Sequence, residues 1–106
     1  MAEHIELGKR GEQIAVDYLR EENYQILQRN YRARRGEIDI VARDKKKNLV
    51  FFEVKARINF ERPEEAVNEK KVKILMETIE NYKFENNIEE ETFLDIIAIN
   101  FTNKIS

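Results

Sequence analysis

An α/β fold running helix, strand, strand, strand, helix, strand, with a mixed sheet flanked by helices, is predicted for this chain of 106 residues by three observations. Two segments repeat apolar residues at the three-and-four spacing of a helix face, four shorter ones are rich in alternating or continuous apolar residues, and the connections between them are short. The last strand is reached through a helix, which implies a parallel crossover beside an antiparallel hairpin.

The first helix is expected over 3–22, where Leu7, Gly11, Ile14, Ala15, Tyr18 and Leu19 share a face and Asn23 supplies the stop. A strand over 24–31, with Tyr24, Ile26 and Leu27, ends in the basic loop Arg32-Ala33-Arg34-Arg35-Gly36, whose glycine allows a tight turn. Residues 37–43 alternate, with Ile38, Ile40 and Ala42 on one face and Glu37, Asp39 and Val41 on the other. The turn 44–48 leads into 49–57, a strand apolar on both faces as a central strand is, and so short a connection pairs the two antiparallel. Pro63 opens the second helix with Glu64 and Glu65 near its positive end, and Ala66, Val67, Lys71, Ile74, Leu75, Thr78, Ile79 and Tyr82 continue one face to about Phe84. Residues 92–101 are branched and aromatic enough for a last buried strand. With no repeat or linker in view, a single domain over 1–106 is expected.

The charged fraction of 38% exceeds the roughly 25% of ordinary globular chains. With only 3 glycines and 1 proline, that charge decorates regular elements rather than a disordered tail. The lack of cysteine excludes disulfides and thiolate metal sites and fits a reducing compartment, so a cytoplasmic location is expected, and no apolar run suggests export or a membrane partner. His4 is the only histidine, which argues against a Ser-His-Asp triad or a His-based zinc site. A bound metal would then rest on carboxylates, which suit Mg²⁺ or Mn²⁺. The net charge is -2, but between residues 28 and 57 ten lysines and arginines face four acids. Such a patch either solvates a hairpin or meets phosphate, and the second reading makes nucleic acid a candidate partner through Arg32, Arg34, Arg35, Arg57 and Lys70.

The most informative residues are Glu53-Val54-Lys55 at the end of the third strand. Alternation puts Glu53 and Lys55 on the face of Leu49 and Phe51, where the core pattern calls for apolar residues. Asp39 is expected to be their neighbour on the second strand. Phosphodiester hydrolysis needs an activated water and neutralisation of charge on the phosphoryl oxygens, and a divalent ion supplies both. Asp39, Glu53 and the Val54 carbonyl are the candidate metal ligands, and Lys55 the amine that orients water or steadies the transition state. An E-x-K triplet alone is more often a solvated ion pair on a strand. The companion Asp39 and the apolar setting favour the site reading, since buried carboxylates repel one another unless a cation or amine offsets them.

Asp39 followed after a hairpin by Glu53-Val54-Lys55 resembles the D-(E/D)-x-K signature of the restriction-endonuclease-like nucleases. Gly8, Gly11-Glu12, Ala15, Tyr18-Leu19, Asn30-Tyr31-Arg32, Gly36 to Ile40, Phe52 to Lys55 and Arg57 are similar to the small bacterial YraN-like family over nearly the whole chain. That family looks like archaeal Holliday-junction resolvases. The resemblance implies a restriction-endonuclease-like core, a metal role for Glu12 on the first helix, and a homodimer. The departures are Ile38 in place of the superfamily's proline, Asn23 where glycine is common, no glycine after Phe60, and Phe93-Leu94-Asp95 where Arg-Phe-Asp is frequent. The expected function is therefore a divalent-metal-dependent nuclease hydrolysing phosphodiester bonds of DNA, with branched or damaged structures as candidate substrates. The alternative is a non-catalytic nucleic-acid-binding or assembly protein that retains the nuclease fold.

Overall fold

The computed structural model describes residues 2–58 and 68–102, with side chains from Glu6 onward. Helix α1 (Ala2–Glu21) leads to β1 (Gln25–Arg32), β2 (Glu37–Arg43) and β3 (Leu49–Ile58), then α2 (Glu69–Glu85) and β4 (Thr92–Phe101). The four strands form one sheet in the order β1-β2-β3-β4. Pairing is antiparallel from β1 to β2 and from β2 to β3, and parallel between β3 and β4. This is the helix-strand-strand-strand-helix-strand order of the restriction-endonuclease-like core.

Each boundary has a local cause. At the end of α1, Asn23 adopts φ 68 and the Tyr24 N–H reaches back to the Leu19 carbonyl at 2.9 Å while Asn23 N–H donates to Arg20 at 3.0 Å. That pair of bonds is a left-handed C-cap, at a position glycine usually fills. The β2–β3 turn closes with Lys47 N–H on the Asp44 carbonyl and Lys47 at φ 69, while Asp44 Oδ1 accepts from the N–H groups of Lys46 and Asn48, both at 2.9 Å. Helix α2 starts after Asn68, whose Oδ1 accepts from Lys71 N–H at 2.8 Å. The helix expected to run unbroken from Pro63 to about Phe84 needs correction, because Asn68 is extended and α2 begins at Glu69; Pro63 to Val67 and Phe60 themselves lie outside the described residues.

The sheet is covered on both faces, and β3 divides its side chains between them. Val50 and Phe52 join Ala15, Val16 and Leu19 of α1 with Ile40 and Ala42, while Leu49 and Phe51 join Leu75, Ile79 and Tyr82 of α2 with Tyr31, Ile38 and Val41. The buried stripe of α1 is narrower than its periodicity suggests: Val16 is fully buried, whereas Ile14 and Tyr18 are exposed. Gly11 sits where a Cβ would meet Ala56 Cβ at 2.8 Å, so α1 crosses β3 at close range. Gly36 has no positive φ, so it is not there for a tight turn; a Cβ would meet Thr78 Oγ1 at 2.5 Å and Ile74 Cγ2 at 2.6 Å of α2.

Two further expectations need correction. Ile38 packs under α2, not with Ile40 and Ala42 under α1. Its partner strand has Asn30 in a left-handed conformation, φ 53, between the in-step pairs Arg29↔Ile40 and Tyr31↔Ile38, and it is here that the buried side chains change face, while the register shift of the β1–β2 ladder lies between Ile26 and Gln28. Strand β4 is an edge strand and contains no fully buried residue, with Phe93 and Ile96 exposed. Its branched and aromatic composition predicts a buried strand, but among the described residues nothing pairs beyond β4.

Candidate metal and phosphate site

The site forms where β2 and β3 part company. Their pairing runs from Arg43↔Leu49 to Ile40↔Phe52 and ends there, while β2 continues along β1 to Glu37 and β3 continues along β4 to Ile58. One step past the last pair stand Asp39 and Glu53. The Val54 N–H at this split donates to Asp39 Oδ2 at 2.7 Å. The Asp39 carboxylate therefore does what a strand carbonyl would otherwise do, and its position is fixed by backbone.

Glu53 is almost completely buried, with 8% of its side chain exposed. Two amines reach its Oε2: Lys71 Nζ from α2 at 3.1 Å and Lys55 Nζ from its own strand at 3.5 Å. Burial pushes Asp39 up to about 7; the Val54 N–H opposes that rise, and the charge of Glu53 and a hydrogen bond to it add to the rise. Burial also lowers Lys55 below the ordinary lysine range, and its contact with Lys71 acts the same way while Glu53 resists. Burial works against the charge of Lys71 too, but the hydrogen bonds it shares with Lys55 and Glu53 hold it above the usual value. The result is an acid pair, Asp39 and Glu53, set beside an amine pair, Lys55 and Lys71.

Asp39 lines two depressions that meet at the split. On the α2 side the walls are Arg35, Gly36, Glu37, Glu53, Asn68, Lys70, Lys71, Ile74 and Leu75, around a space of about 510 Å³. On the α1 side they include Lys9, Glu12, Arg29, Asn30, Arg32 and Val54. Glu12 thus shares a depression with Asp39, but its Oε1 is held by Arg29 at 3.1 Å and by Asn30 Nδ2 at 3.0 Å. Among the described residues no group of three or more histidine, cysteine or acidic side chains is arranged to hold a metal. Two neighbouring, partly desolvated carboxylates are a donor set of hard oxygens, which fits one divalent cation that keeps part of its water shell.

The basic residues divide. Arg35 and Lys70 rim the α2-side depression and Arg32 the α1-side one. Arg32 is tied to Glu37 at 3.2 Å, so Glu37 serves the arginine-rich loop as a structural partner. Arg34 lines a separate hollow with Glu77 and Asn81, away from the two acids. Arg57 is half-buried two residues beyond Lys55 along β3. Tyr31 is buried and packs edge-on against Tyr82 with its hydroxyl donating to Glu85 at 2.7 Å, so its ring is not free to stack on a base. Asp95 accepts from the Ile96 N–H at 2.8 Å on β4. Sequence reasoning did not give Lys71 its contact with Glu53, although a lysine on the inward face of an amphipathic helix is a signal that could have found it.

No helix among the described residues is long and apolar enough to cross a membrane. The chain is 43% identical over 101 residues to a UPF0102 protein of Christiangramia forsetii, covering 93% of this chain and 84% of the relative. It is 40% identical over 101 residues, with the same coverage of each, to one from Flavobacterium psychrophilum. A third, from Carboxydothermus hydrogenoformans, is 52% identical over 83 residues, or 76% of this chain and 70% of the relative. Residues 11–99 match the group described as "Uncharacterised protein family UPF0102". The span of that match and the identity to these relatives place the chain in UPF0102, the YraN-like family that the sequence resembles.

Proposed function

We propose that the chain is a divalent-cation-dependent nuclease that hydrolyses phosphodiester bonds of DNA, with branched or damaged structures as its substrates. The observation that carries the reading is the Asp39–Glu53 pair at the strand split, with Lys55 on Glu53. Two carboxylates held together against their own repulsion are costly to the fold, and such placements are kept at functional sites. Asp39, Glu53 and the Val54 carbonyl would hold Mg²⁺ or Mn²⁺, which when bound supplies an acidic water and offsets charge on the phosphoryl oxygens. Lys55, with its charge weakened by burial and by Lys71, is suited to orient that water or to hand over a proton. Arg35 and Lys70 on one rim and Arg32 on the other would meet the backbone phosphates to either side. Glu12, whose Oε1 is engaged by Arg29 and Asn30, would join the metal's ligands through its other carboxylate oxygen or by giving up those partners.

The test is cleavage of labelled duplex, single-stranded, flap and four-way-junction DNA with Mg²⁺ or Mn²⁺. Asp39→Ala, Glu53→Ala and Lys55→Ala should each lower the rate by about a hundredfold or more while leaving DNA binding in place. One observation favours the alternative of a binding or assembly protein: Lys55 and Lys71 by themselves supply a counter-charge to Glu53. In that case no substrate is cut, and substitutions at Arg32, Arg34 and Arg35 weaken salt-dependent binding. A homodimer belongs to the nuclease reading, because a chain this small grips little duplex alone; light scattering at working concentration that gives a monomer removes it.

A further inference from the structure

We propose that Lys71 is a displaceable counter-ion of the cation site: its ammonium holds Glu53 in the cation-free protein and leaves when a divalent cation takes its place between Glu53 and Asp39. The inference rests on the reading of the two acids as cation ligands. Lys71 Nζ lies 3.1 Å from Glu53 Oε2, on the oxygen that Lys55 also reaches. A buried carboxylate needs a partner, and with 8% of its side chain exposed Glu53 cannot obtain it from bulk water. A divalent ion on the same oxygen, at about 2.1 Å, would stand roughly 5 Å or less from the ammonium in a poorly hydrated site, so the two positive charges repel each other and compete for Glu53.

The two amines differ in their freedom to leave. Lys55 is two residues from Glu53 on the same strand and 20% exposed. Lys71 comes from the first turn of α2, where its backbone is fixed by the Asn68 cap, and 36% of its side chain is exposed toward the depression it shares with Arg35 and Lys70. Four rotatable bonds let its ammonium swing to that rim without moving the helix.

Calorimetric titration of Mn²⁺ into the wild type, Lys71→Gln, Lys71→Arg and Lys70→Gln tests this without reference to turnover. Lys71→Gln should bind Mn²⁺ about tenfold tighter than wild type, because the cation no longer has to break a charge-assisted contact. Lys71→Arg keeps the competitor and should stay near wild type. Lys70→Gln loses the same charge from the same rim without touching Glu53, and should change affinity by less than about threefold. Thermal denaturation checks folding, and Mn²⁺ should raise Tm more in Lys71→Gln than in wild type. Wild-type binding with an unchanged or weaker Lys71→Gln, or an equal gain in Lys70→Gln, overturns the displacement idea and leaves the nuclease reading standing. Binding detectable only in Lys71→Gln supports it, and no binding in any of the four proteins overturns both.

Discussion

Replacing Asp39 with asparagine should stabilise the cation-free protein at pH 8 and leave it little changed near pH 4.5. The asparagine side chain keeps an amide oxygen for the Val54 N–H and removes the charge facing Glu53. In the wild type Asp39 is raised from 3.8 to about 7, so between those values the folded state holds a proton that the unfolded chain has released. Stability from this group is therefore present at low pH and falls as pH rises through that window. Three units at about 1.4 kcal/mol each set a ceiling of about 4 kcal/mol. Asp39 is only half-buried, and screening by water discounts that to about 2 kcal/mol.

Urea unfolding in EDTA at pH 4.5 and pH 8 reads the effect directly. The stability gap between variant and wild type should widen by about 2 kcal/mol across that range. A gap constant to within about 0.5 kcal/mol would refute the argument, since the Asp39 carboxylate would then carry no penalty, from burial first and from the Glu53 charge second, for the substitution to relieve. Saturating Mg²⁺ at pH 8 should recover the difference in the wild type and not in the variant.

Gly36→Ala should cost about 2–3 kcal/mol in the same assay, because its Cβ would strike Ile74 and Thr78, two β-branched side chains on α2, and Thr78 is held by its hydrogen bond to the Ile74 carbonyl. Asn23→Gly should gain about 0.5–1 kcal/mol by relieving the left-handed cap; a loss would mean that the Asn23 side chain makes an interaction worth more than that strain. Arg32→Ala combined with Arg35→Ala should flatten the plot of log affinity for duplex DNA against log salt by about 2, and an unchanged slope would place the phosphates elsewhere.

The sequence was most readable where one physical rule acted alone. Strands β2 and β4 have the bounds their residue types predict, and the Asp44–Asn48 turn falls where its polar residues stand. Helix α1 and strand β1 are shifted by one residue from expectation, within the reach of an end cap. Reading failed where rules competed. Ile38 looks like a member of the Ile40–Ala42 face, yet the buried side chains change face beside the left-handed Asn30, and no spacing rule announces a left-handed asparagine inside a strand. The exposed Phe93 and Ile96 obey strand propensity yet lie at an edge, because propensity reports fit to a pleated surface and not position within the sheet. Asp39 and Glu53 were legible as neighbours because the hairpin register is fixed by its short turn. Lys71 was not legible as their partner, because that contact depends on how α2 lies across the sheet, which Gly36 sets from another part of the chain.

That dependence explains why the acids sit at the split and nowhere else along the hairpin. Had the β2–β3 ladder continued one more step, the Val54 N–H would have been taken by a strand carbonyl and Asp39 would have had no backbone donor to hold it. Ending the ladder frees the donor, and the divergence opens both faces of the sheet to the same carboxylate, so Asp39 borders the α1 side and the α2 side together. The fold gives up ladder hydrogen bonds at that point and keeps one in a different form. It also sets two acids side by side, then draws an amine from the strand and an amine from the helix to offset one of them. A purely structural solution at Glu53 would be an apolar residue continuing Leu49 and Phe51, which would bury well against α2 without a counter-charge. Glu53→Leu should accordingly fold at least as stably as the wild type in EDTA, and lose every Mn²⁺-dependent property.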